Sequence, residues 1–222
     1  SSAASDVYKR QDWDNKIMEL DSKNIDVVWN GMTLTEDVTS AMECSQPYLI
    51  NQQVVVVPAA VADQYQSEDS LTDLAFAVEI GSAGCEIAAA NGYNYTEVAD
   101  QATALLEVAS GSADAAIIDS LMAGAMVGEG TSYPDLTYDS QGLTTEEYGI
   151  GCRKGSDLAQ YINNVLAEAY ADGTMKEIAT TYKLQDALVE QPAAEEFTPA
   201  ADGDVAYIQD KGTLIVGITE FE

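Results

Sequence analysis

Residues 25–57 read IDVVWNGMTLTEDVTSAMECSQPYLINQQVVVV, and this stretch decides the fold. Its first five residues form a short, β-branched apolar run, the composition of a strand buried on both faces of a parallel sheet. The run breaks at Asn30-Gly31. Thr33 and Thr35 follow, with hydroxyls and backbone N–H groups beyond the carboxyl end of the strand, where open α/β sheets bind ligands. After Ser45-Gln46-Pro47-Tyr48 a second apolar run, 54–57, is too short for a helix and is bounded by turn residues. A chain leaving one sheet for another has this pattern.

Outward from there, strands and helices alternate. Upstream, Ile17, Met18 and Leu20 give a short helix over 14–22. Downstream, 76–80 reads as a strand, and Gly81-Ser82-Ala83-Gly84 turns it into a helix reaching Ala90. A strand over 94–98 leads to Asp100 as the N-cap of a helix with an apolar face over 102–108, ending before Gly111. Residues 115–118 form a strand with Asp119 at its carboxyl end, followed by a helix over 120–127. Strands over 136–138 and 148–152, an amphipathic helix over 157–171 stopped at Asp172-Gly173, and a helix over 174–184 complete the series. This alternation predicts an α/β protein with mostly parallel sheets.

Composition narrows the function. With 222 residues and 46% hydrophobic content, the chain can bury a real core in one large or two small domains. A formal charge of −29, no histidine and nine basic residues exclude nucleic acid and anionic membranes as partners, since both require a cationic face. Cys44, Cys85 and Cys152 are far apart and form no CxxC, so neither a zinc site nor complete internal pairing is expected; no metal or cofactor is called for. A serine or cysteine nucleophile has no histidine base, and the paired acids Glu36-Asp37 and Glu146-Glu147 read as solvated, so the chain is expected not to be an enzyme.

The stretch 25–57, together with FAVEIGSAG over 76–84, DAAIID over 114–119 and YGIGCRKG over 148–155, resembles the bacterial extracytoplasmic solute-binding proteins, family 3, the amino-acid-binding components of ABC transporters. The motifs occur in family order over about three quarters of the chain. The resemblance implies a two-lobed, type II periplasmic-binding-protein fold whose lobes close on a small ligand by bending at hinges near 51–54 and 149–151. It implies an amino acid or related solute as ligand, an ABC permease as partner and an extracytoplasmic location, as a periplasmic or lipid-anchored protein. A ligand-sensing domain of a membrane receptor is the alternative, and a dehydratase on the same fold a more distant one.

An amino-acid ligand needs an anion for its ammonium group, N–H or cationic donors for its carboxylate, and an apolar wall. The resemblance assigns the ammonium to Asp119, which also reads as the N-cap of the next helix; both roles are compatible. Asn30, Gly31, Thr33, Ser82 and Ala83 would supply hydroxyl and backbone donors, although small residues at 81–84 also simply allow close helix–strand packing. Trp13 and Phe221 match wall positions; Trp29 reads as core, and Arg153-Lys154 as surface. Where the family usually carries an arginine that forks onto the ligand carboxylate, this sequence has Val38. Either another group neutralises the ligand, or the ligand is not an ordinary α-amino acid.

The ends are unusual. Residues 1–11, SSAASDVYKRQ, resemble a translated sequencing adapter and read as a disordered tail. Residues 12–56 then form the first part of lobe 1, entered midway, 57–149 lobe 2, and 150–191 the return into lobe 1. Residues 192–203, PAAEEFTPAADG, read as a linker with little to bury. Residues 204–222 resemble the start of a second repeat, as in a tandem pair, and 213–219 have the composition of the first strand that lobe 1 lacks. That tail is expected to add in parallel beside the 25–29 strand and bring Phe221 to the ligand.

Overall fold

A computed structural model describes residues 5–10, by their backbone, together with 15–139 and 143–218. The elements in chain order are β1 (Ser5–Arg10), α1 (Lys16–Asp21), β2 (Val27–Thr33), α2 (Glu36–Ala41), β3 (Glu43–Cys44), β4 (Leu49–Pro58), β5 (Ala75–Glu79), α3 (Ala83–Ala90), β6 (Asn94–Val98), α4 (Gln101–Ser110), β7 (Ala115–Asp119), α5 (Ser120–Met126), β8 (Leu136–Asp139), β9 (Thr145–Cys152), α6 (Leu158–Ala171), α7 (Thr174–Thr181), α8 (Asp204–Lys211) and β10 (Thr213–Ile218). Contacts divide the chain into two units: one comprises the chain up to Ile50, Glu146–Thr180 and the chain from Leu188, the other Asn51–Thr145 and Thr181–Ala187. The chain passes between them in β4 and β9, and again at either end of 181–187.

The second unit shows why residues 54–57 are continuously apolar. Val54 and Val56 pack with Ala77, Leu105, Val108, Ala116 and Ile118 on one side of the sheet, and Val55 and Val57 pack with Leu71, Phe76, Val78, Ala115 and Ile117 on the other. Successive side chains of a strand point to opposite faces, so helices on both faces demand an unbroken apolar run. Here β7 and β6 flank β5 in parallel, while β4 runs antiparallel to β7 and β8. Asp100 caps α4 by accepting from Thr103 N at 2.7 Å, and Gly111 closes that helix in the left-handed conformation at φ 81°.

The first unit is assembled from distant pieces of chain. β10 pairs in parallel with β2, Val216 opposite Val27 and Gly217 opposite Val28, and β9 lies antiparallel on the other side of β2. Val27, Ile150, Cys152 and Val216 pack with Leu158 of α6 and Val205 and Ile208 of α8 on one face; Ile25, Val28 and Met32 pack with Leu20 and Met42 on the other.

Three local expectations are corrected. The strand starts at Val27 rather than residue 25 and does not end at Asn30-Gly31, because it continues to Thr33 through a register shift between Val28 and Met32. Residues 5–10, expected as a disordered tail, form β1, which runs parallel to β10. Over 192–203 there is neither helix nor strand, yet the segment is not solvated throughout: Phe197 packs against the α6–α8 cluster and stacks edge-on with Tyr161, and Asn164 holds Glu195 through both its backbone N–H and its carbonyl.

Candidate functional site

At the carboxyl end of β7 the Asp119 carboxylate is held by three amides. Oδ1 accepts from Asn51 Nδ2 at 3.1 Å and Gln53 Nε2 at 2.6 Å, and Oδ2 accepts from Gln101 Nε2 at 2.9 Å. Gln101 returns the contact, its Oε1 accepting from Asp119 N at 3.2 Å. Asn51 and Gln53 come from β4 and Gln101 from the first turn of α4, so the cradle exists only once β4, β7 and α4 have packed. Asp119 occupies the N-cap position of α5 but makes no side-chain cap bond. Among the described residues no cation pairs with it. One of its roughly four acceptor positions remains for a further donor, and no cation among the described residues compensates its charge.

The turn 81–84 proves largely structural. Ser82 caps α3, its Oγ accepting from Cys85 N at 3.1 Å and donating to Glu79 O at 2.7 Å. Ala83 is the first residue of α3. Gly84 lies so close to β7 that a Cβ there would come within 2.6 Å of Ile117 O. The tight-packing reading therefore accounts for Gly84, and Ser82 retains only one lone pair for anything else.

In the first unit the register shift places Trp29, Asn30 and Gly31 opposite a single residue, Ile150, whose backbone bonds Ser45 instead. Such bulges re-aim side chains beside functional sites. Gly31 turns the chain at φ 72°, a conformation that L side chains rarely adopt. Trp29, expected in the core, is 46% exposed because the bulge swings it outward, where it forms a T-shaped pair with Tyr48 at 6.0 Å. Burial pushes the Tyr48 phenol up, and the neighbouring Trp29 indole and Gly31 backbone act the other way.

Asn30 is 8% exposed, and neither its Oδ1 nor its Nδ2 has a protein partner. An unsatisfied buried amide costs about 1–3 kcal/mol, so it marks a place where a bound polar group is worth having. Thr33 ends β2, with its Oγ1 3.5 Å from Glu146 Oε2. Val38, at the position of the family's arginine, is half-buried against the Leu20–Met42 cluster, as is Leu34. Trp13 and Phe221 lie outside the described residues.

Arg153 is not at the surface. It is 9% exposed; its Nη1 donates to Leu20 O and Ile25 O at 2.7 and 2.9 Å, and its Nε and Nη2 grip Asp204 of α8. Asp26, fully buried, accepts from Lys211 Nζ at 2.9 and 2.7 Å and from Ile215 N at 2.8 Å. Asp157 accepts from Ala200 N and Val205 N. These charges fix α8 and β10 against β2 and α6. Sequence reasoning missed them, along with Asn51, Gln53 and Gln101; the one available signal was polar residues inside otherwise apolar strand patterns. Cys44 and Cys152 lie on opposite faces of their sheet, and all three thiols are free, with burial pushing each up.

These features stand on a fold shared with known binding proteins. Residues 6–185 match the bacterial extracellular solute-binding proteins, family 3, and the chain belongs to that family. It is 28% identical over 170 residues to the L-cystine-binding protein TcyJ of Escherichia coli (strain K12), covering 75% of this chain and 63% of that protein. The chain thus spans under two thirds of that relative's length. An ancestral cationic amino acid solute-binding protein of known structure is 28% identical, with TM-score 0.70 over 78% of this chain and 75% of that one. The L-cystine solute receptor of Neisseria gonorrhoeae, in its unliganded open conformation, shares the fold at 23% identity and TM-score 0.69, over 82% of this chain and 77% of that one. The fold is the two-lobed, type II α/β fold of periplasmic amino-acid-binding proteins. Among the described residues no helix is long and apolar enough to cross a membrane.

Proposed function

We propose that this chain binds a small amino-acid-type solute outside the cytoplasm for delivery to an ABC permease and releases it chemically unchanged. The observation that carries this reading is the Asp119 carboxylate, oriented by three amides and left without a cation among the described residues. Neutral amides fix the carboxylate without cancelling its charge, which suits it to receive an ammonium group. Family membership supports the transport role, and relatives named for cystine and for cationic amino acids support the solute class. Within the same unit as Asp119 the remaining lone pair of Ser82 is a further polar candidate, and in the first unit Asn30, Gly31 and Thr33 are the candidates. Bending of β4 near 51–54 and of β9 near 149–151 is the closing motion, and ligand shifts the population toward the closed form.

Isothermal titration calorimetry with the twenty amino acids and their simple amine derivatives tests this. Saturable binding of at least one with a dissociation constant below about 100 μM, roughly −5.5 kcal/mol, is expected. Absence of binding across the panel would overturn the reading.

A further inference from the structure

One strand of the first unit's sheet is supplied from the far end of the chain. β10 occupies an interior position between β1 and β2, yet it and α8 lie beyond residues 6–185, the part that matches the family. The body of the unit holds the chain as far as Gln191, which is buried and donates from Nε2 to Pro47 O at 2.8 Å. Residues 192–203 then run without helix or strand to α8.

Body and tail recognise each other by charge as well as by apolar contact. The wholly buried Asp26 takes Lys211 Nζ at 2.9 and 2.7 Å and Ile215 N at 2.8 Å, and its own N–H donates to Ile215 O at 2.8 Å. Arg153 forks onto Asp204, and Asp157 accepts from Val205 N. Val205, Ile208 and Val216 meet Val27, Ile150 and Leu158. Between them, Phe197 packs on Tyr161 and Glu195 bonds Asn164, both on α6 of the body. None of these contacts requires that tail and body belong to one molecule.

We infer that the slot beside β2 is a docking site for residues 204–218 of a second copy of this chain, so that two copies exchange α8 and β10. Fully extended, 192–203 reach about 40 Å, at roughly 3.3 Å per residue, enough to cross to a neighbour. Exchange remakes every tail–body contact, so concentration decides between closed monomer and exchanged dimer, measured against an effective concentration on the order of 1 mM for a short linker. Once formed, the dimer separates only by withdrawing an interior strand and two buried ion pairs, and it therefore persists on dilution. This holds whether or not the chain binds the solute proposed above.

Refolding the full chain from urea tests the inference, with size read by light scattering. Refolded at about 1 mM and then diluted, the parent should retain about one tenth or more as dimer, and refolded at about 10 μM it should be monomeric. Asp204→Arg sets two cations together in its own slot, and Arg153→Asp gathers carboxylates around Asp26 and Asp204, so neither should dimerise alone. Unfolded and refolded as an equimolar mixture, the two variants should give a one-to-one dimer by native mass spectrometry, because the tail of the Arg153→Asp chain brings Asp204 to the intact Arg153 of the other. If circular dichroism shows that neither the variants nor their mixture fold, the parent decides. A parent that is wholly monomeric after refolding at about 1 mM, a dimer that falls apart at once on dilution, or folded variants that yield no mixed dimer would each overturn the inference.

Discussion

The guanidinium of Arg153 forks onto the carboxylate of Asp204, Nη2 to Oδ1 at 2.8 Å and Nε to the two oxygens at 3.1 and 3.2 Å, with both side chains nine-tenths buried. The pair joins the end of β9 to the start of α8, more than fifty residues apart in sequence. Two charges taken out of water persist only because the fork, the carbonyls of Leu20 and Ile25 and the nearby Asp26 satisfy them together.

Breaking this pair on one side leaves a buried charge without its partner. Asp204→Ala is expected to destabilise the protein by about 3–5 kcal/mol, lowering the melting temperature by on the order of 10 °C. Replacing both partners, as in Arg153→Met with Asp204→Leu, should recover much of that loss. Differential scanning calorimetry decides it: a drop below about 2 °C for the single variant would mean that α8 is held chiefly by Val205 and Ile208.

The same carboxylate gives the protein an acid-sensitive limb. Burial alone would raise the Asp204 carboxyl, but hydrogen bonds from Arg153 and Ser156 and the charge of Arg153 outweigh it and hold the group below its ordinary value. A depressed carboxyl stabilises the fold above its unfolded pKa, about 3.9, and that contribution is lost as pH falls through the still lower folded value. Melting temperature should therefore fall below about pH 4, and Asp204→Asn should flatten that part of the profile. An identical acid limb in the variant would assign it to other carboxylates.

Asp119→Ala should weaken solute binding by more than tenfold, about 1.4 kcal/mol or more, because the ammonium group loses its counter-charge in a partly desolvated place. Gln101→Leu should weaken it less, since Asn51 and Gln53 still hold the other carboxylate oxygen. Calorimetry with the tightest solute provides the measurement, and an unchanged affinity for Asp119→Ala would remove this residue from the site.

Gly84→Ala tests the packing of α3 on β7. The new methyl would lie 2.6 Å from Ile117 O, a backbone atom that cannot rotate away, so the helix must shift. A loss of about 1–3 kcal/mol is expected despite alanine's better helix propensity. Urea unfolding that finds the variant as stable as the parent would show that α3 has room to move.

By itself the sequence determined the alternation of elements and the α/β class, because valine runs such as 54–57 fit only a strand covered on both faces, and Asp100 and Gly111 mark helix ends through local chemistry. It also pointed to the family, and it singled out Asp119 as a candidate, since both rest on short contiguous motifs. Only the tertiary structure decided what surrounds those residues. The amides on Asp119 come from positions 51, 53 and 101, and the partners of Arg153 from positions 20, 25, 26 and 204; a spacing rule does not reach across such distances. Trp29 went from expected core to half-exposed for the same reason. A strand's alternation predicts which face a side chain takes, but the bulge at residues 29–31 exists only because β9 lies against β2 in a particular register, and register belongs to the pair of strands rather than to either sequence.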